Sequence, residues 1–105
     1  MLIVDVIREA DSDHEIYFLV TSYVEAVRYC DPLRLLPMVV RELPLNDVED
    51  VTIRVEMLRA ILESPDALSD EIRLVLAEAL DIFGMARHRL DALREEYQGA
   101  LLEAA

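Results

Sequence analysis

Residues 69–98 read SDEIRLVLAEALDIFGMARHRLDALREEYQ, and apolar side chains recur along this stretch at alternating intervals of four and three residues. This spacing places them on one side of an α-helix, because three and four residues both approximate one helical turn. The pattern lasts for more than three heptads, which is typical of a helix that packs along its length. We call these residues the seam: Ile72, Leu76, Ala79, Phe83, Ala86, Leu90, Leu93 and Tyr97.

The ends of this stretch carry signals that place the predicted helix at about 70–98. Ser69 can accept a hydrogen bond from a free amide of the first turn, and Asp70 and Glu71 suit the positive end of the helix dipole. Gly99 suits the position just past the last turn. A helix of about 29 residues is roughly 43 Å long. We therefore expect its end to extend beyond the shorter helices that precede it.

A helix over residues 13–30 is predicted from its start signal and its apolar face. Ser12, followed three residues later by Glu15, has the spacing of a capping box. Apolar residues then recur at helical spacing: Ile16, Leu19, Val20, Tyr23, Val27 and Cys30. Residues 2–9 suit a short helix, although their β-branched residues leave a short strand open as an alternative.

Another helix is predicted over residues 47–63, after Asn46 and Glu49, which repeat the capping-box spacing. The dipeptide Ser64-Pro65 ends it, because a residue before proline avoids the helical conformation. Apolar residues cover two sides of this helix, so we expect it to lie at the centre of the fold. One side carries Val51, Val55 and Leu58, and the other carries Ile53, Met57, Ala60 and Ile61.

The segment 31–45 holds three of the four prolines and no glycine. It predicts a bent connection of one or two short helices, in which Pro37 kinks the chain and Pro44 ends a helix. A conformational hinge is the alternative. Cys30, the only cysteine, has no neighbours at metal-ligand spacing and is expected to be a small buried residue.

The composition fits one folded helical domain. Apolar residues make up 54% of the 105 positions and only two positions are glycine, which disfavours disorder and tight β-hairpins. This length suits one hydrophobic core. We therefore expect an all-α bundle of four to six helices that forms a single domain over residues 1–105 and pairs as a dimer.

Charge and hydropathy bear on partners and location. The chain holds 22 acidic and 10 basic residues, a net charge of -12, without a basic stripe, so direct binding to nucleic acid is not expected. Every basic residue is arginine, which indicates a GC-rich bacterial genome. No stretch approaches the roughly 18 apolar residues of a membrane span, and the start lacks the basic and apolar parts of a signal peptide. A cytoplasmic protein without membrane contact is predicted.

Catalytic and cofactor-binding residues are not evident, so none is predicted. His14 and His88 lack partners at metal-ligand or triad spacing, and phosphate-binding loops are absent. Glu78 and Asp81, spaced E-x-x-D, resemble half of the motif of all-α nucleoside-triphosphate pyrophosphohydrolases. The other half, E-E-x-x-E upstream, is missing. The resemblance implies a metal-dependent nucleotide hydrolase, with magnesium at these two carboxylates, as an alternative function.

The leading hypothesis is a non-enzymatic protein-interaction or regulatory domain. Leu90, Leu93 and Tyr97 continue the seam into the part of the helix that should extend from the bundle, which predicts a homodimer or a helical protein partner at this end. Phe18 and Tyr29 lie opposite the apolar face of their helix and are the next interface candidates. An acidic decoy of a nucleic-acid-binding protein, suggested by the net charge, is a further alternative.

Overall fold

The computed structural model describes residues 2–30, 40, 45–64 and 68–104. Within these residues the chain forms four helices and no strand. The helices are α1 (Ile3–Arg8), α2 (Asp13–Cys30), α3 (Val48–Glu63) and α4 (Asp70–Ala104). The predicted all-α bundle with a long C-terminal helix is confirmed, and residues 2–9 contain a helix rather than a strand.

Helix α4 is the central element, because α1, α2 and α3 all pack against it. Its 35 residues give a length of about 52 Å at 1.5 Å per residue, which accounts for the 53 Å long dimension of the molecule. The prediction that helix 47–63 is central is wrong. Val51 and Leu58 pack inward, but Ile53 and Met57 on its second apolar side are exposed.

The core follows the seam of α4. Phe83 is fully buried, and its ring meets the ring of Tyr23 from α2 edge-on, with centroids 6.0 Å apart and an interplanar angle of 76°. Such T-shaped pairs are favoured by the charge distribution of aromatic rings. Buried seam residues therefore share one core with buried apolar residues of the other three helices. These are Ile7 of α1, Ile16, Val20 and Val24 of α2, and Val51, Val55 and Leu58 of α3.

Side-chain caps set the start of each of the three long helices. Ser12 Oγ accepts from the amide of Glu15 at 3.2 Å, as predicted. In α3 the cap is one residue later than predicted: the carboxylate of Asp47 accepts from the amide of Asp50 at 3.0 Å. A carboxylate is a stronger acceptor than the Asn46 amide at the positive end of a helix, which explains the shift. For α4, the Ser69 hydroxyl oxygen accepts from an amide of the first turn, confirming that prediction.

The helix ends differ from the sequence-based expectation at one place. Helix α3 ends before Ser64, whose ψ of 142° is extended, as expected for the residue before a proline. Helix α4 continues through Gly99 to Ala104, so the predicted end near Gln98 is wrong. Glycine weakens a helix interior by about 1 kcal/mol but does not break it, and the residues that follow are strong helix formers.

The proline-containing segment 31–45 lies mostly outside the described residues. Two of its residues are described, and both Val40 and Leu45 are buried in the core. The predicted kink and the hinge alternative therefore fall on residues that the structure does not describe. Cys30 is the last residue of α2, and its side chain is also outside the described part.

Candidate interaction surface

A cleft of about 810 Å³ lies where the seam leaves the core, and we call it the notch. Its floor is formed by Leu90, Leu93 and Tyr97 of α4. Its wall is formed by Tyr17 near the start of α2 and Val48 at the start of α3. The three residues of α4 that the sequence predicted as an interface therefore come together on one concave surface.

The floor of the notch changes from buried to exposed along α4. Leu90 is 5% exposed and belongs to the chain's own core. Leu93 is half-buried against the core, and Tyr97 is 67% exposed. The part of the floor that is open to another molecule therefore consists mainly of Leu93 and Tyr97, while Leu90 anchors the floor from below.

Arg89 fixes the position of the connection between α1 and α2 beside the notch. Its Nε donates a 2.8 Å hydrogen bond to the carbonyl oxygen of Ala10, which is itself buried. A second guanidinium nitrogen of Arg89 lies 3.8 Å from the carboxylate of Glu96. Because Ala10 directly precedes the acidic start of α2, these contacts hold that start against α4. The N-terminal residues thus pack against α4 beside the notch.

Carboxylates surround the apolar floor. Helix starts contribute Asp11, Asp13 and Asp47, and α4 contributes Asp91 and Glu96. Arg94 is the one basic side chain among the described residues that line the notch. The carboxylates beside the starts of α2 and α3 also face the positive ends of those helices, which stabilises their charge. The notch therefore combines an apolar floor with an acidic rim.

The wall residue Tyr17 experiences this acidic environment. Burial raises the pKa of the Tyr17 hydroxyl above its ordinary value of 10.0, and the negative charges of Asp13, Asp47 and Asp50 raise it further. Both effects disfavour the phenolate. The hydroxyl therefore stays protonated at neutral pH and remains a hydrogen-bond donor on the wall of the notch.

We expect an alkaline titration followed by tyrosinate absorbance to show Tyr17 ionising above the ordinary pKa of tyrosine. Tyr17→Phe should remove that late component, and Asp13→Asn should move it to lower pH. Because the folded-state pKa is raised, the contribution of this group to stability is present below about pH 10. It is lost as the pH rises through the folded-state pKa. A late component that survives Tyr17→Phe but disappears in Tyr29→Phe would contradict the assignment.

The other predicted interface residues lie on the outer side of α2. Phe18 is 70% exposed and Tyr29 is 90% exposed, which confirms that they project away from the core. Phe18 borders a separate depression of about 350 Å³ together with His14, Thr21 and Leu45. The two aromatic rings do not line the notch. Their role in an interface stays a prediction.

The residues considered for metal and acid–base chemistry are dispersed. Glu78 and Asp81 are both exposed on α4, as are His14 on α2 and His88 on α4. Over the described ranges, no three or more His, Cys, Asp or Glu side chains are grouped so that they could hold a metal ion. Among those same residues, no helix has the length and hydropathy to cross a membrane.

The wall of the notch is not among the features that the sequence predicts, because neither Tyr17 nor Asp47 belongs to a site pattern in the sequence. The sequence carries one signal for this wall. Two predicted helix starts are rich in aspartate, and the seam is longer than either of those helices. Together these features indicate that acidic caps and exposed apolar residues lie at the same end of the bundle. Comparison with known protein families, with curated proteins and with solved structures gives no match for this chain.

Proposed function

We propose that this chain is a non-enzymatic interaction protein that presents surfaces of α4, and that it self-associates through the last two turns of this helix. We call residues 97–104 the terminal segment. The observation that carries the proposal is its exposed apolar surface: Leu101 is 53% exposed and Leu102 is 78% exposed. These two leucines are adjacent in sequence and lie on a helix that extends past its neighbours. Removing their apolar surface from water would lower the free energy.

The charge of the terminal segment supports pairing with a second copy. The segment reads YQGALLEA and contains one charged residue, Glu103, whereas the whole chain has a net charge of -12. Two copies therefore repel each other least where these segments meet. The small residues Gly99 and Ala100 also let two helices cross at a short distance.

The contact between the two terminal segments should be weak and should join two copies only. A two-fold dimer is the commonest closed arrangement, because the same surface serves both copies. Stable interfaces bury about 1,200–2,000 Å², and two crossing segments of this length bury less. We therefore expect a dimer that forms at high protein concentration and dissociates on dilution.

Light scattering during gel filtration, from about 10 μM to 1 mM protein, tests this proposal. The expected result is a mass that rises with concentration from 12.0 kDa toward twice that value. Leu101→Asp combined with Leu102→Asp should keep the mass at that of the monomer, with the helical circular dichroism unchanged.

The control is Leu74→Asp, at an exposed leucine on the opposite end of α4, which should leave association unchanged. A monomer throughout the concentration range in the unmodified protein would overturn the proposed dimer. Equal loss of association in both variants would place the contact elsewhere. The metal-dependent hydrolase, the acidic decoy and the cytoplasmic location stay predictions of the sequence, because no described contact favours one of them.

A further inference from the structure

We propose that the notch binds a short cationic amphipathic helix from a different protein. Apolar side chains of that helix would pack on Leu93 and Tyr97, and its Arg or Lys side chains would face the acidic rim. This inference goes beyond self-association, because the notch is open at Leu93 and Tyr97, whereas the dimer contact is carried by Leu101 and Leu102 farther along the terminal segment.

The open part of the apolar floor suits side chains on one face of a partner helix. From Leu93 to Tyr97 it extends over about one turn of α4, roughly 6 Å, and Leu90 lies buried below it. Residues spaced by three or four along a partner helix reach over the same distance, which is the pattern by which amphipathic helices bind apolar grooves. The volume of about 810 Å³ is enough to enclose several side chains rather than one.

The rim defines the charge of the partner. Arg94 is the single basic residue among the described lining residues, which include Asp11, Asp13, Asp47, Asp91 and Glu96. Arg87 lies 4.0 Å from Asp91 and Arg89 lies 3.8 Å from Glu96, so the cations of a partner would face mainly Asp11, Asp13 and Asp47. Bringing a neutral or acidic helix onto the floor would remove water from these carboxylates without replacing it, which is costly. A cationic helix replaces that water with charge-assisted hydrogen bonds and is attracted to the site from a distance.

A second copy of this chain does not match the rim. Its exposed apolar terminal segment contains no basic residue, so it would bring Glu103 toward the carboxylates without compensating them. Its ten arginines are distributed along the chain, and the densest group, Arg87 and Arg89 on either side of His88, lies on α4 itself. The charge complementarity therefore favours a different protein.

The Asp47 carboxylate and the backbone at the start of α2 are held in place before any partner binds. Asp47 is fixed by its capping bond to the amide of Asp50 at 3.0 Å, and the start of α2 is held by the bond from Arg89 to Ala10. Groups that are already ordered lose little conformational freedom on binding. The acidic rim therefore acts as a preformed recognition element.

Fluorescence anisotropy with synthetic peptides tests the proposal on the full chain. The probe is a labelled 14-residue helix-forming peptide with Leu at heptad spacing and Lys or Arg at its other positions. One comparison peptide has the same composition in scrambled order, and another carries Glu in place of the basic residues. We expect the cationic amphipathic peptide to bind, the scrambled peptide to bind at least about tenfold more weakly, and the acidic peptide not to bind.

Matched variants locate the binding site. Asp13→Asn with Asp91→Asn should weaken binding about three- to tenfold. The control, Asp70→Asn with Asp81→Asn, removes the same charge from a helix start and a mid-helix position away from the notch, and should leave binding unchanged. Tyr97→Ala should also weaken binding, whereas Tyr29→Ala should not.

Three results would overturn the proposal. These are no binding of the cationic peptide, equal binding of the scrambled peptide, and equal loss in the notch variant and its charge-matched control. The last result would mean that net charge alone attracts the peptide. The dimer is tested separately, because Leu101→Asp with Leu102→Asp should abolish self-association and keep peptide binding. Failure of either proposal is therefore visible while the other still holds.

Discussion

Phe83→Ala is expected to lower the free energy of unfolding by about 3–5 kcal/mol. Phe83 is fully buried at the centre of the seam, and its seam neighbours Ala79 and Ala86 are fully buried as well. Alanine neighbours are too short to fill the space that the ring would leave, and the edge-on contact with Tyr23 would also be lost. Small domains have total stabilities of about 5–15 kcal/mol, so this variant should be close to unfolding.

Urea unfolding followed by helical circular dichroism measures this effect. The control is Phe18→Ala, which removes the chain's only other phenylalanine from an exposed position on α2. A surface truncation of this kind changes stability by about 0.5 kcal/mol or less. Similar stability of the two variants would show that the ring of Phe83 is not at the centre of the core.

The position of Phe83 illustrates what the sequence alone could establish. The spacing of the apolar residues and the capping residues are enough to predict three long helices and the buried stripe of α4. This is because helix geometry converts residue spacing directly into position on a face. They could not predict which helix is central. Both α3 and α4 have apolar residues on more than one side, and only the packed structure shows that Ile53 of α3 stays exposed.

Helix ends and buried charges were less predictable than helix faces. Gly99 predicts a helix end, but a glycine ends a helix only where the chain turns, and the residues after Gly99 favour continuation to Ala104. No sequence pattern predicts that Arg54 is buried, yet it is 6% exposed and its guanidinium donates to the carbonyl oxygen of Asp50 at 2.7 Å. Arg54 lies between Val51 and Leu58 along the inward-facing side of α3, which explains its burial.

The notch required information that spacing does not carry. Leu90, Leu93 and Tyr97 were predicted as an interface from the length of the seam. Their acidic surroundings depend on where α2 and α3 begin relative to α4, which is a matter of tertiary packing. The sequence therefore predicted the apolar half of this surface, and the structure adds Tyr17 and the carboxylates that define its chemistry.

Leu90→Asp is expected to unfold the protein or to lower its free energy of unfolding by about 2–7 kcal/mol. Leu90 is 5% exposed and packs in the core below the notch, so an introduced carboxylate would lose water there. The low-dielectric site would raise the pKa of the introduced carboxyl above its ordinary value. The destabilisation should therefore be smallest below about pH 4, the pKa of an aspartate in the unfolded chain. It should grow as the pH rises from there to the folded-state pKa and level off above it.

The matched control is Leu101→Asp, in the exposed terminal segment of the same helix. It should leave the midpoint of thermal unfolding nearly unchanged at neutral pH while weakening self-association. Loss of dimer in Leu90→Asp would report unfolding rather than a broken contact, so only the variants beyond Leu93 can test the interface. If Leu90→Asp unfolds at the same temperature as the unmodified protein from pH 4 to pH 8, then Leu90 does not lie in the core. The open floor of the notch would then begin one turn earlier than the structure places it.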